Sequence, residues 1–374
     1  MAATGTAPIQ VSLEAIPAGA ATDDLLTAIL QANARVSDLI FSPGRKFQVQ
    51  VNGEFVPVEM PGSSCLTADD TRRIASDLIG NNKAAISMLR GQGYCDVSYA
   101  LPGVARFRVN IFIQRGSCAV VMRVIPTVVP DFKSLGLPER LREISDLHDG
   151  LILVTGPRGA GKSSTLAALL NHINETTTCH IITIEDPIEF LHNHKRATVH
   201  QRELHSDTPS VAHAMRAALR QAPNVIAVGE LKDRETIELA LEAAETGHVV
   251  LSTLNTLNAQ QTVERLVGAF PAAEQPGVRE RLARMLRFLI CQRLVPRRQD
   301  GRRVAVFETL KSDSQMLDRL LCNNVRTYTD DDMEGLDLEI ERLVRAGVVS
   351  PEVALAHAID PRELSKNLAE AAKS

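Results

Sequence analysis

The sequence predicts an α/β protein with a small α+β domain, a larger domain built on a parallel sheet, and a helical C-terminal region. Three observations lead to this prediction. An alternating strand pattern runs into Asn52-Gly53, four short apolar runs alternate with helical segments further on, and a glycine-rich segment follows the first of those runs. The 374 residues, 44% of them hydrophobic, are enough for two cores.

Composition and charge exclude several classes of protein. A net charge of −4 and a pI near 6.2 give no global field for nucleic acid or an anionic membrane. The six cysteines include no Cys-x-x-Cys pair, so neither a zinc ribbon nor a redox motif is present. The first residues lack the pattern of a signal peptide, and no run of apolar residues is long enough to span a membrane. We therefore expect a soluble chain.

The first domain is predicted over residues 23–127, after a tail of residues 1–22 that is rich in Ala, Gly, Thr and Pro and is expected to be mobile. Thr67 is expected to cap a helix, with Asp70 supporting its first turn. The other predicted elements are a helix starting near residue 23, strands over 47–51, 54–58, 94–101, 105–114 and 119–125, an Asn52-Gly53 hairpin and a Pro102-Gly103 turn.

A change of pattern marks the second domain, predicted over residues 141–312. Residues 128–140 are expected to form a linker, because the segment from 126 to 137 has two prolines and little periodicity. Apolar runs at 151–155, 181–185, 225–228 and 249–253 are typical of parallel strands buried on both faces. Residues 313–374 are expected to be mostly helical.

Residues 278–294 are predicted to form an amphipathic helix with four arginines largely off its apolar side. Arginines on one helix can indicate a nucleic-acid surface. Only 3% of the residues are aromatic, so the bases of a single strand would have few side chains to stack on. A solvated or inter-subunit face is therefore the preferred interpretation.

The segment GPRGAGKS, residues 156–163, is the strongest chemical signal and is called the phosphate-binding loop below. It has the pattern G-x-x-x-x-G-K-[ST], with an apolar strand before it and a helical segment after it. The glycines allow backbone N–H groups to face phosphate oxygens, Lys162 supplies a positive charge, and the Ser163 hydroxyl can bind Mg²⁺. The expected nucleotide-binding residues are Gly156, Gly159, Ala160, Gly161, Lys162, Ser163 and Ser164.

Carboxylates follow two of the other predicted strands. Glu230 comes after the run at 225–228, and residues 185–189 (EDPIE) follow the run at 181–185. In an open α/β sheet, ligands bind outside the carboxyl ends of the strands, so these groups and the phosphate-binding loop should line one crevice. For Glu230 the alternative is a solvated charge at the end of a strand.

Four histidines, at positions 192, 194, 200 and 205, lie within fourteen residues and include a His-x-His pattern. Such a pattern can bind a metal ion. No cysteine or acidic ligand set accompanies them, so a metal site is not the preferred interpretation.

The motifs together resemble the secretion ATPase superfamily, and within it the PilT family of pilus retraction motors. Residues 181–190 (IITIEDPIEF) resemble its Asp box, and 228–230 (VGE) its Walker B motif. Residues 243–248 (AAETGH), followed by TLNT, resemble its His box. Residues 102–110 (PGVARFRVN) are similar to its N-terminal domain. The resemblance extends from about residue 37 to about residue 307.

This resemblance implies a PAS-like N-terminal domain joined to a RecA-like ATPase domain, with ATP and Mg²⁺ bound between the two domains of each subunit in a homohexamer. It implies Glu230 as the Walker B carboxylate, binding Mg²⁺ together with Ser163, and Glu189 as the general base. It further implies that arginines of the N-terminal domain reach the γ-phosphate and that hydrolysis rotates one domain against the other. Those arginines are Arg106, Arg108 and Arg123. For them, a solvent-exposed basic strand face is the alternative.

The implied function is a cytoplasmic ATPase motor, peripheral to the inner membrane, that drives type IV pilus retraction and twitching motility. Implied partners are an inner-membrane pilus platform protein and a paralogous motor, without nucleic acid or membrane insertion. Alternatives are a pilus assembly or type II secretion ATPase and a non-hydrolysing adaptor.

The chain departs from the family pattern at four places. The family usually has His at the position of Asn255, Asp at that of Asn224 and a small polar residue at that of Arg158, and residues 315–320 match its C-terminal motif poorly. Asn255 cannot become a cation near neutral pH, so any charge role of that His is lost.

Overall fold

A computed structural model describes residues 9–10, 21–33, 35–51, 54–59, 65–125, 128–299, 302–311 and 335–371. The chain divides into two compact units. One comprises residues 1–128 with 189–191, and the other comprises 129–188 with 192–374.

The N-terminal unit is built on a seven-stranded sheet in the order β1-β4-β3-β2-β7-β6-β5, antiparallel except where β1 pairs with β4. Its strands are β1 (Ile9–Gln10), β2 (Val36–Phe41), β3 (Gln48–Val51), β4 (Glu54–Glu59), β5 (Tyr94–Leu101), β6 (Ala105–Gln114) and β7 (Ser117–Ile125). Alternate residues of these strands are buried, as a sheet with a single covered face requires.

Three helices, α1 (Thr22–Ala32), α2 (Ala68–Ile79) and α3 (Lys83–Gln92), contribute to the same core. The predicted cap of α2 is confirmed: the Thr67 hydroxyl accepts a bond from the Asp70 amide, and the Asp70 carboxylate accepts one from the Thr67 amide. The Thr67 hydroxyl also donates to the Asp70 carboxylate, and this bond, together with the one from the Thr67 amide, lowers the pKa of Asp70 below its usual value.

The sequence reasoning missed β2 and α3, and it was wrong about residues 9 and 10. It placed these two residues in a mobile tail, whereas they pair in parallel with the end of β4. The Asn52-Gly53 turn lies outside the described residues, although β3 and β4 pair antiparallel on either side of it, as the prediction requires.

The second unit contains a seven-stranded sheet in the order β10-β9-β11-β12-β8-β13-β14, parallel except for β14. Its strands are β8 (Gly150–Thr155), β9 (His180–Glu185), β10 (Thr198–Glu203), β11 (Val225–Val228), β12 (Val249–Leu254), β13 (Leu286–Pro296) and β14 (Arg303–Lys311). The four predicted parallel strands are confirmed, and the α/β fold class with them. All residues of β8, β11 and β12 are buried, because helices cover both faces.

The helices of this part of the chain are α4 (Phe132–Leu135), α5 (Lys162–Thr176), α6 (Val211–Ala218), α7 (Arg234–Glu245), α8 (Ala259–Val267) and α9 (Gln275–Met285). Helices α4 and α5 pack on one face of the sheet and α6 to α9 on the other. The predicted linker, residues 128–140, contains α4 and leads into a 3₁₀ helix (Glu139–Asp146). Phe132, Leu141 and Ile144 of this stretch are buried on the α5 side.

The predicted helix over residues 278–294 is wrong in its second half. Helix α9 ends at Met285, and β13 begins at the next residue, between β8 and β14. Phe288 to Cys291 are buried on both faces of this strand, with Phe288 and Ile290 on the α5 side of the sheet and Leu289 and Cys291 on the other side. Pairing with two neighbouring strands has overridden the helical pattern.

The C-terminal region is helical in its described part, as predicted, with α10 (Leu336–Arg345), α11 (Pro351–His357) and α12 (Pro361–Ala371). These helices add Leu336, Ile340 and Leu364 to the core on the α7 side. Residues 315–320 lie outside the described residues. Among the described helices, none is long and apolar enough to cross a membrane.

Candidate nucleotide site

The phosphate-binding loop connects the buried end of β8 to the start of α5. Three of its glycines have positive φ: Gly156 (+151°), Gly159 (+76°) and Gly161 (+87°). A side chain at these angles would be strained, so the glycines permit the loop to curve around the helix end. Gly161 is the N-cap of α5 and makes no side-chain cap bond, so the first amides of the helix are not capped by it. Such an end attracts an anion.

Lys162 lies at the first position of α5, with its ammonium group turned toward the loop. It donates to the carbonyls of Gly156 (2.9 Å) and Pro157 (3.0 Å) and to the side-chain oxygen of Asn255 (2.8 Å). Ser163 and Ser164 follow and are half-buried, whereas Arg158 is exposed. The residues predicted from the sequence to bind nucleotide therefore lie together, in the loop and the first turn of α5.

Asn255 joins the loop to the predicted Walker B carboxylate. Its amide nitrogen donates to Glu230 at 2.5 Å, while its amide oxygen accepts from Lys162. A Lys162–Asn255–Glu230 chain of hydrogen bonds therefore spans the carboxyl ends of the central strands. Glu230 also lies 3.9 Å from the ammonium group of Lys232, and its side chain is 31% exposed.

The backbone around Glu230 is fixed from both neighbouring strands. The Thr253 hydroxyl of β12 donates to the Gly229 carbonyl at 2.7 Å. On the other side, the Gly229 amide donates to the backbone carbonyl of Ile184, on β9, at 2.9 Å. These bonds extend the parallel pairing beyond the end of β11 and hold Glu230 at the carboxyl edge of the sheet.

Glu185 and Glu189 occupy different environments. Glu185 is the last residue of β9, next to Gly229, and accepts bonds from Thr183 (2.6 Å) and Gln201 (3.0 Å). Glu189 is exposed, four residues beyond the strand, and groups with the N-terminal unit. Of the two acidic residues, Glu185 is the one that lies beside the end of β11.

Two other motif residues lie at the opposite edge of the sheet. Asn224 precedes β11 and accepts a bond from the His180 amide at 2.9 Å. His248 precedes β12, and its ring contacts the Ala243 carbonyl at 2.9 Å. Because parallel strands begin at this edge and end at the other, these residues are separated from the phosphate-binding loop by the length of a strand.

The oxygen donors at the loop suit magnesium better than a transition metal. A serine hydroxyl (Ser163) and a carboxylate (Glu230) are hard ligands, and Mg²⁺ usually takes one or two such groups together with phosphate oxygens. Within the described residues, no three His, Cys, Asp or Glu side chains converge in a way that could hold a metal ion. In the histidine cluster, the ring of His194 accepts a bond from the Val199 amide.

The three predicted arginines lie in the N-terminal unit, on the face of its sheet opposite the buried Phe107. Arg106 and Arg108 are on β6, and Arg108 stands directly opposite Arg123 of β7. Like charges in that position repel each other. The Asp38 carboxylate on β2 accepts a bond from Arg123 at 2.8 Å, which offsets the repulsion.

The sequence of this chain matches one protein family and several characterised relatives. The family model of the type II/IV secretion system protein matches residues 97–332. The twitching motility protein of Neisseria gonorrhoeae is 39% identical, with 85% of each chain covered. The type IV pilus retraction ATPase PilT of Pseudomonas aeruginosa is also 39% identical, over 88% of this chain and 96% of that protein.

A solved structure supports the same grouping. The crystal structure of the pilus retraction motor PilT with bound ADP superposes with a TM-score of 0.83 at 38% identity. It covers 91% of this chain and 99% of that one. The similarity therefore extends over both units and is not limited to the phosphate-binding loop.

Proposed function

We propose, because this chain belongs to the family of type II/IV secretion system proteins, that it is an ATPase motor that drives type IV pilus retraction. One observation carries the proposal: the Lys162–Asn255–Glu230 chain joins the phosphate-binding loop to the carboxylate at the end of a neighbouring strand. A loop alone binds a nucleotide, whereas a carboxylate linked to it allows hydrolysis to be organised.

The phosphate-binding loop and the first amides of α5 would hold the phosphates of ATP. Lys162 would exchange its carbonyl partners for the β- and γ-oxygens, and Ser163 and Glu230 would hold Mg²⁺. The metal ion neutralises charge on the phosphates when bound. Asn255 would hold the Glu230 and Lys162 side chains in fixed positions relative to each other, because an amide donates and accepts at the same time.

The general base and the arginines are proposed on the family resemblance. Glu189 is the proposed base toward water, and Glu185 is the competing candidate because it lies next to Gly229. Arg106, Arg108 and Arg123 are proposed to stabilise charge on the γ-phosphate. The exposed side chain of Arg108 and its position opposite Arg123 give that sheet face a local positive charge.

The proposed assembly is a cytoplasmic homohexamer that works at the inner face of the cytoplasmic membrane. Its proposed partners are a pilus platform protein and a paralogous motor. The similarity to retraction motors over nearly the full length of both chains supports this part of the proposal.

Steady-state turnover of Mg-ATP tests the enzymatic part. Glu230→Gln should lower kcat at least about a hundredfold, since it removes a charge that acts on the metal and the reacting water. Glu264→Gln, an exposed change on α8, is the matched control and should leave kcat unchanged. Equal background turnover in wild type and Glu230→Gln would favour a non-hydrolysing adaptor.

The same assay tests the base and the arginines. Glu189→Gln should lower kcat more than Glu185→Gln does, and the reverse order would transfer the role of base to Glu185. Arg108→Ala should lower kcat without changing the oligomer. Unchanged kcat would show that Arg108 does not act on the γ-phosphate.

A further inference from the structure

Gln292 lies on β13, immediately after the residue that pairs with the last residue of β8. The residue is 3% exposed, and its side chain contacts the phosphate-binding loop and the first turn of α5. None of the sequence motifs includes this residue. It reaches the loop from a neighbouring strand, more than a hundred residues further along the chain.

Both ends of the Gln292 amide are bonded. The nitrogen donates to the Ala160 carbonyl at 2.7 Å, and the oxygen accepts from the Thr165 hydroxyl at 2.7 Å. A carbonyl can only accept, so the nitrogen must face Ala160, and the Thr165 hydroxyl then serves as donor. Both bonds are buried, so removing the amide would leave unpaired polar atoms in the interior.

Backbone packing fits the loop to the same residue. A Cβ on Gly156 would lie 2.3 Å from the Gln292 carbonyl oxygen, and one on Gly161 would lie 3.0 Å from the Gln292 amide nitrogen. The space that a side chain would need at two of the loop glycines is therefore filled by Gln292. The curvature of the loop and the position of Gln292 depend on each other.

Lys162 holds the loop in a different way. It donates to the carbonyls of Gly156 and Pro157 from within the loop. An ammonium group is attracted by phosphates, so those bonds are exchanged when a nucleotide arrives. The Gln292 amide carries no charge and is buried, so it can keep Ala160 and Thr165 in place with or without nucleotide.

We propose that Gln292 is a positioning residue, which holds the phosphate-binding loop in its anion-binding curvature and thereby sets the affinity for nucleotide. The proposal rests on the nucleotide-binding function proposed above. A preorganised loop aims its amides at the phosphates without a conformational cost on binding. Because Gln292 contacts the loop and not the nucleotide, its loss should weaken binding more than it slows the chemical step.

Calorimetric titration of the purified full-length chain with MgADP tests the proposal. Gln292→Leu should raise the Kd at least about tenfold, because it leaves the Ala160 carbonyl and the Thr165 hydroxyl unpaired. Its KM for Mg-ATP should rise by a similar factor, while kcat at saturating ATP should fall less than about threefold. Gln275→Leu removes another amide that donates to a backbone carbonyl, that of Phe270, and should leave the Kd unchanged.

Gln292→Glu separates positioning from packing, because the two side chains have nearly the same shape. The ionised carboxylate has no donor for the Ala160 carbonyl, whereas the protonated carboxyl group has one. Burial raises the pKa of a carboxyl group, so the variant should bind MgADP poorly at about pH 8 and approach wild-type affinity at about pH 6. A residue that only fills space would show no such recovery relative to wild type.

Three results would overturn the proposal. They are a wild-type Kd in both Gln292 variants, a weakened affinity of Gln292→Glu that does not recover at the lower pH, and a loss confined to kcat. Thermal unfolding of each variant shows whether it is folded. For Gln292→Glu, the measurement at the lower pH is a control for the measurement at the higher pH, because the same sample is used for both. Failure of the wild type to bind MgADP would instead overturn the proposed function itself.

Discussion

At the residue scale, Asn255 is the feature that distinguishes this site. It follows β12 directly and bonds Lys162 through its oxygen and Glu230 through its nitrogen. The resembling family usually carries His at this position. An amide has the same donor and acceptor as a neutral imidazole, but it does not titrate. Asn255 therefore keeps both of its hydrogen bonds without any change in its own charge.

Asn255→His should introduce a pH dependence that the wild type lacks. A neutral imidazole can replace both bonds, whereas a protonated one has no acceptor for Lys162 and places a second cation beside it. We expect kcat of the variant to fall relative to wild type as the pH drops through about 6.5. The measurement is the pH profile of kcat for both proteins.

The control for this prediction is Gln260→His, which introduces a histidine on α8 outside the hydrogen-bond chain. Its pH profile should follow that of the wild type. If the profiles of wild type and Asn255→His had the same shape, Asn255 would not be the acceptor that Lys162 needs during turnover.

The residues that sequence reasoning missed are those that act through bonds to distant parts of the chain. The loop glycines, Lys162 and Glu230 were predicted because each lies in a local pattern. Gln292 was placed within a helix. Asn255 was quoted with the His box and as a departure from the family, but its bonds to Lys162 and Glu230 were not predicted. The signal available for Asn255 was its position immediately after an apolar strand. For Gln292 no local signal exists, because β13 reaches the loop only in the folded chain.

At the element scale, β13 is central to the second unit and was the largest error in the prediction. The four strands whose apolar runs alternate with helical segments, β8, β9, β11 and β12, were predicted. Strands β10 and β14 were missed, and β13 follows α9 without a loop. Its apolar residues also fit a helical stripe over a few turns. Pairing on both sides with β8 and β14 decides the outcome, and such pairing is not visible in local periodicity.

The pairing of β13 with β14 brings Cys291 opposite Glu308. Both are buried, and the nearby Asp337 adds to the effect of burial on Glu308. Burial raises the pKa of Glu308 from 4.5 to about 7, and it also raises that of the Cys291 thiol. A buried carboxyl group of this kind makes the stability of the unit depend on pH.

Between about pH 4.5 and pH 7 the folded chain holds a proton on Glu308 that the unfolded chain releases. Stability from this group is therefore complete at low pH and is lost as the pH rises through about 7, with a total of about 3 kcal/mol. Glu308→Gln stays neutral and avoids this loss. Its Tm should match that of the wild type at about pH 4, below the unfolded pKa, and exceed it by roughly 5 to 10 °C at about pH 8.

Thermal unfolding of both proteins across this range checks the prediction. Glu280→Gln, an exposed change on α9, should show a constant Tm difference from wild type. A constant difference for Glu308→Gln as well would mean that this carboxyl group is not protonated in the folded chain.

At the scale of the whole molecule, the chain has two units with separate cores and different chemistry. The second unit carries the phosphate-binding loop, Asn255 and Glu230 at one edge of its sheet. The N-terminal unit carries the proposed arginines on an exposed sheet face. The fold class of both units was predictable from strand periodicity, because the buried strands of the second unit and the half-buried strands of the first differ in pattern.

Hydrolysis of ATP at this site is proposed to drive pilus retraction. The most direct test is to record individual pili on cells of the source organism whose chromosomal copy encodes Glu230→Gln, with Glu264→Gln as control. We predict that Glu230→Gln cells assemble pili that do not retract, because ATP binds without being hydrolysed, while the control retracts normally. Normal retraction in Glu230→Gln cells would contradict the claim, and cells without pili would indicate an assembly motor instead.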